Sequence, residues 1–328
     1  MGTADLSKRY DVLVIGGGNA ALCAAISARR EGRSVLVLEA APHFYRGGNT
    51  RHTRNMRCAH DTATGTLTGP YTEDEFFEDL LRVTNGNTDE NLARMMIRQS
   101  KDMLGWIVEQ GVRFQPSLGG TLSLGRTNSF FLGGGRAMLN ALYRTAETLG
   151  VDVLYDAEVT ALDIEDGTFL GATVGGKVNA QVRAGALIAA SGGFEANIEW
   201  LKQGWGEIAD NFLIRGTPYN RGSILRMLMD AGAQTVGDPT QCHAVAIDAR
   251  AHPHRAGLAA HHGRFRRLQR SMGRLGRARQ HAHAVLRQGR DEQSILPGRD
   301  SRDGGALTPA RDRTPWQRPT CLGITTYW

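Results

Sequence analysis

Five residues, Asp11-Val12-Leu13-Val14-Ile15, form an apolar, β-branched run of strand length that ends abruptly on Gly16-Gly17-Gly18. An alanine-rich helical stretch, Leu22 to Arg30, follows, and then a second strand, Ser34 to Leu38, ending on Glu39. Strand, glycine turn, helix, strand and acid in this order predict one βαβ unit of a parallel sheet with an adenine dinucleotide on its first turn. Gly16 permits the tight turn, and Gly18 lets backbone N–H groups approach a pyrophosphate at the helix N-terminus. Ala21 takes the small position where helix and strand pack closely. Glu39, 21 residues beyond Gly18, is placed to accept hydrogen bonds from a ribose 2′-OH. A carboxylate there disfavours a 2′-phosphate, which argues against NADP.

FAD and NAD share this unit, so the choice between them rests on later segments. Arg46 to Asn55 is a polar, glycine-bearing loop suited to running along a long cofactor. Ala184 to Ala190 is another apolar strand, broken at Ser191-Gly192-Gly193. Val151–Tyr155, Glu158–Ile164 and Phe169–Val174 read as short strands, the last two joined by Glu165-Asp166-Gly167. Helices are expected over 72–82, 88–109 and 136–149. On the first, Glu73, Asp74, Glu75 and Asp79 read as a solvated face; on the second, Met95, Met96, Met103 and Leu104 are spaced like core residues.

Six stretches carry a resemblance: Val14–Ala21, Arg46–Asn55, Arg126–Gly135, Ala190–Glu195, Arg215–Gly222 and Thr240–His243. In this order they resemble the FAD-dependent succinate dehydrogenase/fumarate reductase flavoprotein family over residues 10 to about 250, and are most similar to its tricarballylate-oxidising members. The resemblance implies an α/β fold with a Rossmann-like FAD-binding domain, in the three-layer β/β/α arrangement of glutathione reductase. It implies FAD contacts at Gly16, Gly18, Ala20, Glu39, Asn49, Thr50, Ser191, Gly192 and Gly193. His243 matches a catalytic-shell histidine at the edge of the substrate site, and Arg126 and Asn128 match substrate-binding positions. The implied chemistry is removal or addition of two hydrogens across a CH–CH bond of a polycarboxylate, here oxidation of tricarballylate to cis-aconitate. The implied electron acceptor is a membrane-bound iron–sulfur or cytochrome protein. A fumarate reductase or 3-ketosteroid dehydrogenase-like enzyme is the alternative within the fold.

The 328 residues change character after residue 250. Residues 251–328 hold 15 Arg, no Lys and only 5 acids, so the overall net charge of +6 is an average over two unlike texts. A basic arm for nucleic acid would commonly mix Lys with Arg and interleave aromatics. No nucleic acid is therefore expected, although an Arg-rich nucleic-acid-binding protein stays as the alternative from another class. The reading adopted is a frameshift in a G+C-rich gene near residue 251. Gly263 to Arg267, written GGT-CGG-TTT-CGT-CGT, becomes Val-Gly-Phe-Val-Val when one base is dropped. Residues 1–250 are then an incomplete FAD-binding domain, and 251–328 a tail that is not natively folded. The family's capping domain and C-terminal closing segment are missing, which predicts an inactive or fragmentary product. Four unpaired cysteines, no metal-ligand spacing, no leader and no bilayer-length apolar run give a cytoplasmic expectation.

Overall fold

The computed structural model describes residues 4–117, 124–214, 216–235 and 239–240, with only the backbone at residue 213, and the backbone of 243–246 and 322–325. The first unit is as expected. Strand β1 (Arg9–Ile15), helix α1 (Asn19–Arg30) and strand β2 (Val35–Leu38) form a parallel crossover, with Val12 to Ile15 paired to Val35 to Leu38. Alternation sorts the side chains by face. Val14, Val35 and Val37 pack beneath α1 against Leu22 and Ile26, while Leu13, Ile15, Leu36 and Leu38 face the other way.

Four further elements follow. They are strand β3 (Asn55–Arg57), helices α2 (Glu73–Thr84) and α3 (Glu90–Glu109), and the single turn α4 (Leu124–Thr127). Strand β4 (Asn128–Phe130) pairs with β3. Helix α5 (Gly134–Thr148) then packs beside α1 and leads to β5 (Asp152–Leu154), which adds to the outer edge of β2. Strands β6 (Ala157–Glu165), β7 (Thr168–Gly176) and β8 (Ala180–Ala189) complete a six-stranded sheet in the order β5-β2-β1-β8-β7-β6.

Strand β8 belongs to two layers. Ala180 to Arg183 pairs antiparallel with β7, and Arg183 to Ala189 pairs parallel with β1. The meander thereby covers the sheet face opposite α1 and α5, burying Val159, Ala172 and Val174 against Leu13, Ile15 and Leu36. This is the three-layer β/β/α arrangement. The turn joining β6 to β7 is Asp166-Gly167 with φ of 48° and 74°, the left-handed pair a two-residue hairpin requires.

Helix α6 (Ile198–Trp205), strand β9 (Leu213–Ile214), helix α7 (Ser223–Asp230), strand β10 (His243–Ala246) and strand β11 (Leu322–Thr325) complete the described chain. The last strand lies between β10 and β9. Otherwise the expected tail 251–328 lies outside the described residues.

Two expectations change. Met95 and Met96 are 47% and 46% exposed, because α3 turns Ala93, Ile97 and Ser100 inward and puts the methionines on its outer side. The acidic face of α2 is not merely solvated. Glu73 pairs with Arg94 and Arg98, Glu75 with Arg126, and Asp79 with Arg57, Arg82 and the Tyr71 hydroxyl.

Candidate functional site

The sheet's carboxyl edge opens into a cleft of about 580 Å³ that runs past the N-terminus of α1. Its size suits a cofactor-sized ligand, for which clefts span roughly 300–1,000 Å³. Gly16 to Ala20, Glu39, Asn49, Thr50 and Ser191 to Gly193 all line it. Every cofactor-contact residue predicted from the sequence therefore converges on one cavity.

The glycine turn is shaped by close approach of backbone. Gly16 has φ +110°, and a Cβ there would sit 2.3 Å from the Ala190 carbonyl oxygen. Gly18 caps α1 without any side-chain hydrogen bond, and Thr50 Oγ1 accepts from Asn19 N at 3.0 Å instead. A short 3-10 turn, Gly48–His52, brings Thr50 to that position. The result is a helix N-terminus with small, close walls, where the macrodipole favours an anion.

Glu39 closes the β2 end of the cleft. It is buried, and its Oε1 and Oε2 accept from Ala41 N and Gly47 N, both at 2.9 Å. Burial pushes its carboxyl above the usual glutamate range, opposed by amide donors from Ala41, Gly47 and Gly17. An ionised carboxylate offers about four acceptor sites. Three amides leave room for a ribose hydroxyl.

Asn49, Thr217 and Asn220 also line the cleft and are held together by side-chain hydrogen bonds. Glu195 is fully buried, and its Oε1 accepts from Asn49 Nδ2 and from Asn220 Nδ2, the latter at 2.8 Å. Asn49 Oδ1 accepts in turn from Thr217 N at 2.8 Å. Gly192, at φ +81°, has no room for a side chain because Asn220 lies 2.7 Å from its Cβ position. Glu195, Thr217 and Asn220 were not assigned from sequence, although each stands inside a motif stretch; only their meeting in space reveals the network. Tyr143, whose hydroxyl donates to Gly17 O at 2.8 Å, left no sequence signal beyond a helical apolar position.

The structure does not bring Arg126 or Asn128 to this cleft. The Arg126 guanidinium is held by both Glu75 carboxylate oxygens and by Pro70 O at 2.8 Å. Asn128 is buried and donates to Thr127 Oγ1 at 2.6 Å. His243 opens β10, where it pairs with Thr325, and its side chain lies outside the described residues. Cys23 also lines the cleft, with burial pushing its thiol up to about 11, so it is a neutral packing group. Among the described residues no cluster of metal-ligating side chains occurs, and no helix is long and apolar enough to cross a membrane.

The site fits FAD on its own geometry, since Gly16, Gly17, Gly47, Gly192 and Gly222, at each of which a Cβ would collide, line a cleft beside a helix N-terminus. Comparison with known proteins agrees. The NADH:fumarate oxidoreductase of Klebsiella pneumoniae is 28% identical over 235 residues, covering 70% of this chain and 25% of that protein. The vinyl phenol reductase of Lactiplantibacillus plantarum is 25% identical over 236 residues, covering 70% and 47%. The chain thus spans between a quarter and a half of these curated relatives. An open-form flavocytochrome c3 fumarate reductase shares the fold with a TM-score of 0.63 at 23% identity, over 73% of this chain and 43% of that one. A 3-ketosteroid-Δ4-(5α)-dehydrogenase from Rhodococcus jostii does so with a TM-score of 0.59 at 21% identity, over 70% and 55%. The FAD binding domain model matches residues 11–268, and the chain belongs to that family, with FAD as its cofactor.

Proposed function

We propose that this chain is the FAD-binding part of an oxidoreductase acting on a carbon–carbon bond beside a carboxylate, with tricarballylate oxidised to cis-aconitate. The observation that carries the reading is the cleft itself, lined by the glycine turn, Glu39, Asn49 and Asn220, with buried Glu195 accepting from both asparagines. Bound FAD supplies hydride chemistry. The chain's own part is to hold the dinucleotide. Gly16, Gly18 and Ala20 flank the pyrophosphate, Glu39 takes the ribose, and Thr50 and Ser191–Gly193 close around the remainder. His243 is assigned to a substrate carboxylate at the cleft edge. Arg126 and Asn128 support a strut between α2 and β4 better than a place in substrate binding, because their polar groups are already engaged. The electron acceptor read for the enzyme is a membrane-bound iron–sulfur or cytochrome protein.

A second reading, reduction of a carbon–carbon double bond, is supported by relatives named for fumarate and vinyl phenol reduction. The change of text after residue 250 makes flavin binding the first property to test. FAD titrated into the purified chain should quench flavin fluorescence at one equivalent. A dye-linked assay of tricarballylate and succinate oxidation, run beside fumarate and a 3-ketosteroid with reduced dye, then separates the substrates. Absence of flavin binding by the folded chain would sink the reading; turnover of the steroid alone would replace the acid.

A further inference from the structure

A dinucleotide fingerprint requires small residues at the first and second glycines of the turn and leaves the position between them open. Here that position is Gly17, and the structure supplies a reason. A Cβ on Gly17 would lie 2.3 Å from Tyr143 Oη and 2.5 Å from Glu39 Oε2. The space of a missing methyl is filled by a hydroxyl from α5 and a carboxylate from the end of β2. The Tyr143 hydroxyl donates to Gly17 O at 2.8 Å, while the Glu39 carboxylate crowds the same residue from the other element. One residue of the turn is therefore gripped through its carbonyl and walled in by the carboxylate.

The tyrosine is itself pinned. It is buried, its ring lies 4.6 Å beneath the Arg46 guanidinium, and Leu139 one turn earlier fills the space beside Gly47. Gly47 N in turn donates to Glu39 Oε2, so α5 braces the turn and the acid together. Burial raises the Tyr143 phenol far above its ordinary range, which keeps it a neutral donor.

We propose that Tyr143 is a positioning residue for the adenosine–pyrophosphate half of FAD, fixing the tilt of the Gly17 peptide and the orientation of Glu39. This rests on the FAD reading above. Its action passes through Gly17 and Glu39, with no contact to the reacting atoms.

The test uses the full chain. Tyr143→Phe keeps the ring and its stacking on Arg46 and removes only the hydroxyl. FAD and ADP are titrated by calorimetry into the wild type and the variant. Failure of the wild type to bind FAD would overturn the FAD reading and this proposal with it. With binding present, Y143F should weaken FAD and ADP by the same factor, about three- to tenfold. A factor confined to FAD, or none, overturns the proposal. A second measurement uses Gly17→Ala, whose added methyl collides with the same hydroxyl. The loss it causes should be smaller in the Y143F background than in the wild type; strict additivity overturns the shared contact. Should Y143F not fold, Arg46→Gln unpins the ring while leaving the hydroxyl. It should then weaken FAD and ADP equally by a smaller factor, and unchanged affinity for both overturns the proposal.

Discussion

The two walls of the cleft use different physics. On the α1 side, Gly16 and Gly17 meet backbone, a hydroxyl and a carboxylate at distances no side chain would tolerate. In the other wall, Asn49, Glu195 and Asn220 come from three separate segments and hold one another through amide-to-carboxylate hydrogen bonds. The first wall is defined by atoms that are missing, the second by polar groups that must all be satisfied. Damage to the first should be steric. Damage to the second should be a desolvation penalty left without compensation.

The largest expected effect sharpens that contrast. Gly16→Val forces a β-branched residue to φ +110° with its Cβ 2.3 Å from a carbonyl oxygen. It should cost about 3 kcal/mol or more of folding stability. Urea unfolding reads this, and a variant of native stability would break the steric account. Next comes Asn49→Ala, which strips the acceptor from Thr217 N and a donor from Glu195. A loss of about 2 kcal/mol is expected, with FAD affinity falling alongside. If the loss stayed within error, the amide wall would be ornament.

A third prediction uses protons. Burial raises Glu39, so acid should protonate it at a higher pH than an exposed glutamate. The sign for folding is that its burial costs stability above the folded pKa, a cost relieved as the pH falls through that value. The sign for binding is opposite, because protonation removes an acceptor for the ribose. FAD affinity should drop by about tenfold on acidification before ordinary carboxylates titrate. Glu39→Gln should flatten that profile; an unchanged profile would remove Glu39 from the ribose. The smallest effect belongs outside the cleft. Arg126→Ala breaks a part-exposed pair with Glu75 and should cost about 0.5 kcal/mol without changing FAD affinity. A large loss of substrate affinity in a turnover assay would return Arg126 to the substrate site.

The α1 wall was legible in the sequence because its rule is local. Strand, turn, helix and acid are consecutive, and a glycine reports a close approach whatever lies beyond it. The β6–β7 turn was legible for the same reason. Other features were not local. Met95 and Met96 had the right spacing for a core, but periodicity gives a face and not its neighbour, and α3 uses a different stripe. Arg126 looked like a substrate cation until Glu75, 51 residues away, was found to occupy it. The Ala180–Arg183 half of β8 is too short and polar to predict, and its partner β7 is what draws it into strand.

By itself, then, the sequence determined a βαβ dinucleotide unit and the glycines that shape its turn, since both follow from backbone sterics within some thirty residues. Only the tertiary structure decided why the middle glycine is also required, through Tyr143 and Glu39, and how Asn49, Glu195 and Asn220 form one wall. The reason is physical. A missing Cβ can be read from one letter, whereas a satisfied buried carboxylate exists only once distant segments have packed around it.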